Sequence, residues 1–204
     1  ALRSCSACFE LSTRRTPLRV EALERSLHRP LDLRRALAEV VLVGRRLLAL
    51  RATPAAAPRI ARAISARLPS TVGQLERSES LAVLTVGPDH WLLRTPLNSE
   101  LNQQDRIEQA IGSALGMVTV MSDAYVSFTI RGDEAADVLA QGCPLDFDTT
   151  VFPIGTCASS VLARGDVLLI RDSTGFELLV DRTHASYFRD WLRAATGSAA
   201  LQNV

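Results

Sequence analysis

Beyond residue 38, apolar positions fall into short runs set apart by polar turns, and their spacing alternates between two periods. Val40-Val41-Leu42-Val43 and Leu47-Leu48-Ala49-Leu50 are unbroken runs of strand length, with Gly44 between them. Over residues 54–68 the period lengthens. Ile60, Ile64 and Leu68 stand at i, i+4, i+8 while Arg59, Arg62 and Arg67 take the other faces, which predicts a helix with one buried stripe. The same succession then returns. Residues 81–86 read as strand, Gly87-Pro88-Asp89 as a turn and Trp91-Leu92-Leu93 as a second extended run. Residues 103–115 follow as a helix carried by Ile107, Ile111 and Leu115.

A third round begins with strands at 118–120 and 125–130. Asp133 is then placed to cap a short helix reaching Ala140. Residues 159–162, 167–171 and 176–180 read as strands, with Gly165-Asp166 and Ser173-Thr174-Gly175 as the turns between them. The last helix spans 183–195, where Tyr187, Phe188, Trp191, Leu192 and Ala195 make one broad apolar face. The order β-α-β-α-β-α-β-β-β-α, in two similar halves, predicts an α+β domain over residues 36–196, with helices packed on one side of a mostly antiparallel sheet.

Residues 1–35 lack a clean period, and Pro17 and Pro30 interrupt any long helix. With one helical turn near 20–27, they read either as an irregular basic arm covering a partner or its own domain, or as a mobile tail. Residues 197–204 read as a C-terminal tail. Composition adds little: 47% hydrophobic and 22% charged residues in a chain of 204 describe an ordinary globular protein and exclude disordered and collagenous classes.

Charge changes the picture more. All 23 basic residues are Arg. Residues 1–67 hold 14 Arg against five acids, a net of +9, and residues 68–204 hold nine Arg against 17 acids, a net of −8. A basic front half suits nucleic acid, an anionic membrane or an acidic protein partner. Phe9 is the one aromatic residue before Trp91, so stacking platforms for nucleic acid are not offered. The longest apolar stretch, 38–50, is cut by Gly44, Arg45 and Arg46, and the first residues lack the apolar core of a signal peptide. A cytoplasmic location and no membrane partner are the expectations.

Candidate chemistry is thin. Cys5-x-x-Cys8 is half of a metal or redox motif, without a second pair or a nearby His, and reads as two small residues in the arm. Cys143, His184 and Asp146 would serve as a thiol nucleophile, a base and its orienter if the fold brought them together. The local context instead favours a packed Cys143 and a capping or exposed His184. His28 and His90 have no acidic or Cys companions at ligand spacing and read as surface or loop residues. Neither G-x-G-x-x-G nor G-x-x-x-x-G-K-[ST] occurs, so no nucleotide fingerprint is present. A well-patterned domain without convergent polar residues favours an interaction role over free-standing catalysis; catalytic, cofactor-binding and metal residues are all expected to be none.

Several segments, in order, resemble one family. They are Leu68-Pro69-Ser70-Thr71-Val72-Gly73, Gly87-Pro88-Asp89-His90-Trp91-Leu92-Leu93, the run from Ile130 through Arg131-Gly132-Asp133 to Leu139, Gly142-Cys143-Pro144-Leu145-Asp146, Phe152-Pro153-Ile154-Gly155-Thr156-Cys157-Ala158, and Phe176-Glu177-Leu178-Leu179-Val180 with Tyr187 and Trp191-Leu192. Together they resemble the gamma subunit of heterotetrameric sarcosine oxidase, over about residues 35–196. The resemblance implies a fold like the folate-binding domain of aminomethyltransferases. It also implies a place beside alpha, beta and delta subunits that carry NAD, tetrahydrofolate, FAD, FMN and zinc. Such an assembly demethylates sarcosine oxidatively and passes the one-carbon unit to tetrahydrofolate, and its gamma chain contributes no known catalytic residue. The small subunit of N-methylglutamate dehydrogenase is similar and not separable here. A free-standing folate-dependent transferase is the rival class. It would need a carboxylate poised in a pocket, and Asp123 stands near where such families carry a short acidic motif, although its neighbours depart from that motif.

Overall fold

A computed structural model describes residues 39–43, 46–79, 81–96, 98–196 and 202–203. The expectations placed on Cys5, Cys8, Arg14, Arg15, Arg19 and His28, and on the arm and tail themselves, lie outside or almost wholly outside these residues. The chain order is β1 (Glu39–Val43), β2 (Arg46–Ala52), α1 (Ala57–Ile64), β3 (Leu75–Arg77), β4 (Ala82–Gly87), β5 (His90–Thr95), α2 (Glu100–Ile111), β6 (Gly116–Val120) and β7 (Tyr125–Arg131). There follow α3 (Ala135–Ala140), β8 (Thr156–Leu162), β9 (Gly165–Asp172), β10 (Gly175–Asp181), a 3-10 turn (Arg182–His184), α4 (Ala185–Thr196) and β11 (Gln202–Asn203).

The α+β class holds, with the strands divided between two sheets. One has the order β3-β4-β5-β2-β6, the other β11-β1-β7-β10-β9-β8, and every pairing except the parallel β1–β11 is antiparallel. The reason lies in the unbroken apolar runs, because a strand buried on both faces has no polar face to alternate. Along β2, Leu48, Leu50 and Ala52 pack on Ile60, Ile64, Ile107 and Ile111 of α1 and α2, while Leu47 faces the other way. Along β10, Phe176, Leu178 and Val180 pack on Phe188 and Leu192 of α4, while Leu179 faces the other way. The residues facing the other way meet as a third cluster of Leu47, Leu84, Leu92, Cys157, Leu168, Ile170 and Leu179. The layers are therefore helix, sheet, sheet, helix.

The two halves repeat one plan. From β2 the chain runs strand, helix, three-strand meander, helix, and the third meander strand, β5, returns beside β2; from β7 it does the same, and β10 returns beside β7. The outer neighbour of β2 is β6, whereas the outer neighbour of β7 is β1, from the start of the chain. Consecutive strands β1 and β2 thus belong to different sheets, as do β6 and β7. At the opposite edge the sheets are stitched together by a bridge between Gln74 and Thr156, with Cys157 N–H donating to Gly73 O at 2.7 Å and Leu75 N–H to Gly155 O at 3.1 Å.

Four local readings differ. Helix α1 ends at Ile64 because Ser65 takes a left-handed conformation, φ 54°, that returns its N–H to Ala61 O and Arg62 O. Helix α2 begins at Glu100 and stops before Gly112, φ 54°, so Leu115 is not part of its stripe and stands 81% exposed. Asp133 caps nothing: α3 starts after Glu134 without a side-chain cap. The β8–β9 turn is Ala163-Arg164, both at positive φ as a type I′ hairpin requires, rather than Gly165-Asp166. Gly165 has a different reason to be small, since an added Cβ would lie 2.5 Å from Cζ of Phe188.

Candidate functional site

Where the two sheets part, a cleft of about 510 Å³ opens between them. Ala49, Val86, Leu92, Leu168 and Leu179 give it an apolar floor, and His90, Tyr125, Ser159, Asp166 and Asp181 stand around it. Strand pairing explains the acidic side. Val180 pairs with Val167, and Asp181 and Asp166 hold the next positions along β10 and β9. Both are exposed. Asp181 is held low, below the ordinary carboxylate value, by the hydroxyl and N–H of Thr183, both of which donate to Oδ1, at 2.5 and 2.8 Å. No arginine among the described residues lies within ion-pair distance of either carboxylate.

His90 opens β5 rather than lying in a loop, and its Nδ1 sits 3.4 Å from the Arg51 guanidinium. Partial burial, then the Arg51 charge, lower its pKa from 6.5, so the ring is neutral at pH 7 and does not balance the two aspartates. One wall of the cleft continues as a ledge. Met117 and Thr119 of β6 pair with Arg51 and Ala49 of β2 and share their face, yet both are exposed, Met117 by 59%. Sheet β3-β4-β5-β2-β6 therefore overhangs its partner sheet at this corner.

The proposed thiol constellation is not assembled. Cys143 is buried with Sγ 3.4 Å from Ser160 Oγ, His184 lies on the exposed 3-10 turn against Thr183, and Asp146 accepts the N–H of Asp148 at 2.9 Å. Cys157 is buried between the sheets, where desolvation pushes its thiol up to about 11 and removes it as a nucleophile at neutral pH. Asp123 stands in solvent at the β6–β7 turn, 3.7 Å from Arg182, and does not line the cleft. Among the described residues, no three His, Cys, Asp or Glu converge as a metal site would require.

A buried polar contact lies deeper and was not anticipated. Glu177 of β10 is 2% exposed, accepts Ser127 Oγ–H at 2.5 Å and meets Arg94 of β5 at 2.8 Å. A single carboxylate within Phe176-Glu177-Leu178-Leu179-Val180 was the available signal, because a charge inside an apolar strand needs a buried partner. The segments singled out by resemblance also meet: Pro69 O accepts from Trp91 Nε1 at 2.7 Å and from Thr85 Oγ1 at 3.1 Å, beside the Gly73–Cys157 stitch.

Comparisons with known proteins agree with this architecture. A chain of the heterotetrameric sarcosine oxidase from Corynebacterium sp. U-96 superposes with a TM-score of 0.72 at 28% identity, covering 80% of this chain and 88% of that one. The glycine cleavage system aminomethyltransferase T from Bartonella henselae superposes at 0.60 and 16% identity, covering 89% of this chain and 50% of that one, which is a likeness of fold. In sequence, the chain is 34% identical over 127 residues to sarcosine oxidase subunit gamma of Corynebacterium sp. strain U-96, spanning 61% of each. It is 30% identical over 147 residues to the subunit of the same name in strain P-1, spanning 71% of each. With residues 49–198 matching the family as well, the chain belongs to the sarcosine oxidase, gamma subunit family.

Proposed function

We propose that this chain is a non-catalytic subunit of a heterotetrameric flavoenzyme that oxidatively demethylates sarcosine or a similar N-methyl amino acid and passes the one-carbon unit to tetrahydrofolate. Its work is to pack against the alpha and beta subunits and fix their positions, so that a reactive one-carbon intermediate travels inside protein. The observation that carries this reading is the pairing of a family match over residues 49–198 with candidate nucleophile, base and orienter residues that lie apart.

FAD, FMN, NAD, tetrahydrofolate and zinc are assigned to the other subunits. For the phosphate-bearing FAD, FMN and NAD the cleft supports that division, since its lining carries two carboxylates and no arginine or glycine loop that would receive a phosphate. The basic residues of the front half, Arg14, Arg15 and Arg19 among them, are assigned to an acidic surface of a partner subunit.

Tagged expression in the native host tests the reading. A yellow complex with a large and a mid-sized flavin-bearing partner supports it, and its relative activity on sarcosine and N-methylglutamate decides between the oxidase and the N-methylglutamate dehydrogenase branch. A colourless, stable monomer would overturn it. The free-standing transferase is disfavoured by the exposure of Asp123, and folate binding by the isolated chain in calorimetry would revive it.

A further inference from the structure

We infer that the cleft between the sheets is a docking site for a partner subunit, and that its occupant is an extended segment presenting an arginine or lysine side chain. The inference rests on the subunit reading above and names the surface and the chemistry through which that assembly is made.

Charge complementarity identifies the occupant. Asp166 and Asp181 hold the next positions beyond the paired Val167 and Val180 on adjacent strands and both line the cleft, so its rim there is negative. Among the described residues no arginine is within ion-pair distance of either carboxylate; His184 acts on Asp181 from the 3-10 turn, outside the cleft lining, and burial and Arg51 turn His90 away from protonation. The floor beneath is Leu92, Leu168 and Leu179, the kind of surface on which the aliphatic stem of a long basic side chain lies while its charged head reaches the rim. A small anion would meet two carboxylates, and a purely apolar ligand would leave them unbalanced.

The adjoining ledge extends the same surface. Met117 and Thr119 continue the face of Ala49 onto an outermost strand of the described sheet, and Leu115 stands beside them. The corresponding strand of the other half, β1, carries β11 on its outer edge. An extended partner segment along β6 would therefore find main-chain donors and acceptors, apolar contacts at Met117 and a charged anchor point in the cleft.

The test uses the complex as purified from the native host. A photoreactive benzophenone amino acid replacing Ser159 at the exposed rim should cross-link to an arginine- or lysine-bearing peptide of a partner subunit. The double variant Asp166→Lys/Asp181→Lys should weaken association by about tenfold or more at low salt and less at high salt. Asp133→Lys, at the start of α3 and off the cleft, should leave association unchanged. Cross-links confined to this chain or a second copy of it, or a double variant that assembles like the parent at every salt concentration, would overturn the inference and leave the subunit reading standing. A parent chain that retains no partner would overturn both.

Discussion

The Arg94 guanidinium and the Glu177 carboxylate meet at 2.8 Å between two sheets, one on β5 and the other on β10, with the carboxylate side chain only 3% exposed. Neither strand belongs to the other's half, so the pair ties the repeat units through charge where Leu47, Leu92 and Leu179 tie them through apolar contact. Removing one member strands the other. Glu177→Ala should cost about 3–5 kcal/mol, and the paired change Arg94→Met/Glu177→Leu should recover much of it, because a buried ion pair replaced whole by apolar groups is often near neutral. Urea midpoints of Glu177→Ala, of the double variant and of its single changes Arg94→Met and Glu177→Leu decide the matter; an additive double variant would show that the two charges act independently.

Stability should also respond to His90. Its pKa in the fold lies below the ordinary 6.5, so the unfolded chain takes up a proton first as pH falls. The contribution is complete above 6.5 and declines as pH drops through that value toward the folded pKa. His90→Gln should flatten the thermal midpoint across this window while leaving it unchanged at pH 8. A parent-like slope in the variant would assign the pH dependence elsewhere.

Gly175 gives a geometric prediction. It opens β10 at φ 146°, and an added Cβ would fall inside contact distance of Ile130 O and 3.1 Å from Cα of Arg131 on β7. Both obstacles are backbone. Gly175→Ala should lose stability by at least the ~1–3 kcal/mol of a strained residue, and the β7–β10 ladder should show it first in amide exchange. Protection at Phe128 and Leu178 equal to the parent would refute the clash.

The Arg-rich front half predicts a salt-dependent partner contact. Changing Arg14, Arg15 and Arg19 to Glu should weaken co-purification with the other subunits more at low salt than at high salt, as screening of charges requires. Equal recovery at all salt concentrations would remove this region from the interface.

How far the sequence could be read depended on what decided each element. Ile60, Ile64, Ile107 and Ile111 announce their helices because a single buried stripe leaves a period, and the apolar runs at Leu47–Leu50 and Leu178–Val180 announce strands. Those runs also held the evidence for two sheets, since a single sheet covered by helices on one side would have kept a polar alternate face. Helix ends were misplaced where one residue at positive φ intervened, Ser65 and Gly112, a backbone choice that leaves little trace in composition. The cleft was not legible at all. Tyr125, Ser159, Asp166 and Asp181 come from four strands spread over 57 residues and share no motif; only the pairing of β7, β8, β9 and β10 assembles them.

The passage of β1 and β2 into different sheets has a consequence during synthesis. Glu39 is made before any residue of the first repeat, yet its partner is Arg131, at the end of β7. At roughly 5–20 residues per second, the ribosome leaves β1 without its antiparallel partner for several seconds while the intervening repeat emerges. During that interval β1 is an unsatisfied edge, while β2 to β6 can pair among themselves without it. The sheet β3-β4-β5-β2-β6 has all its strands once β6 has emerged. The other sheet waits until β7 arrives to take β1, which makes the period before β7 appears the moment when a chaperone or a waiting partner subunit has most to protect.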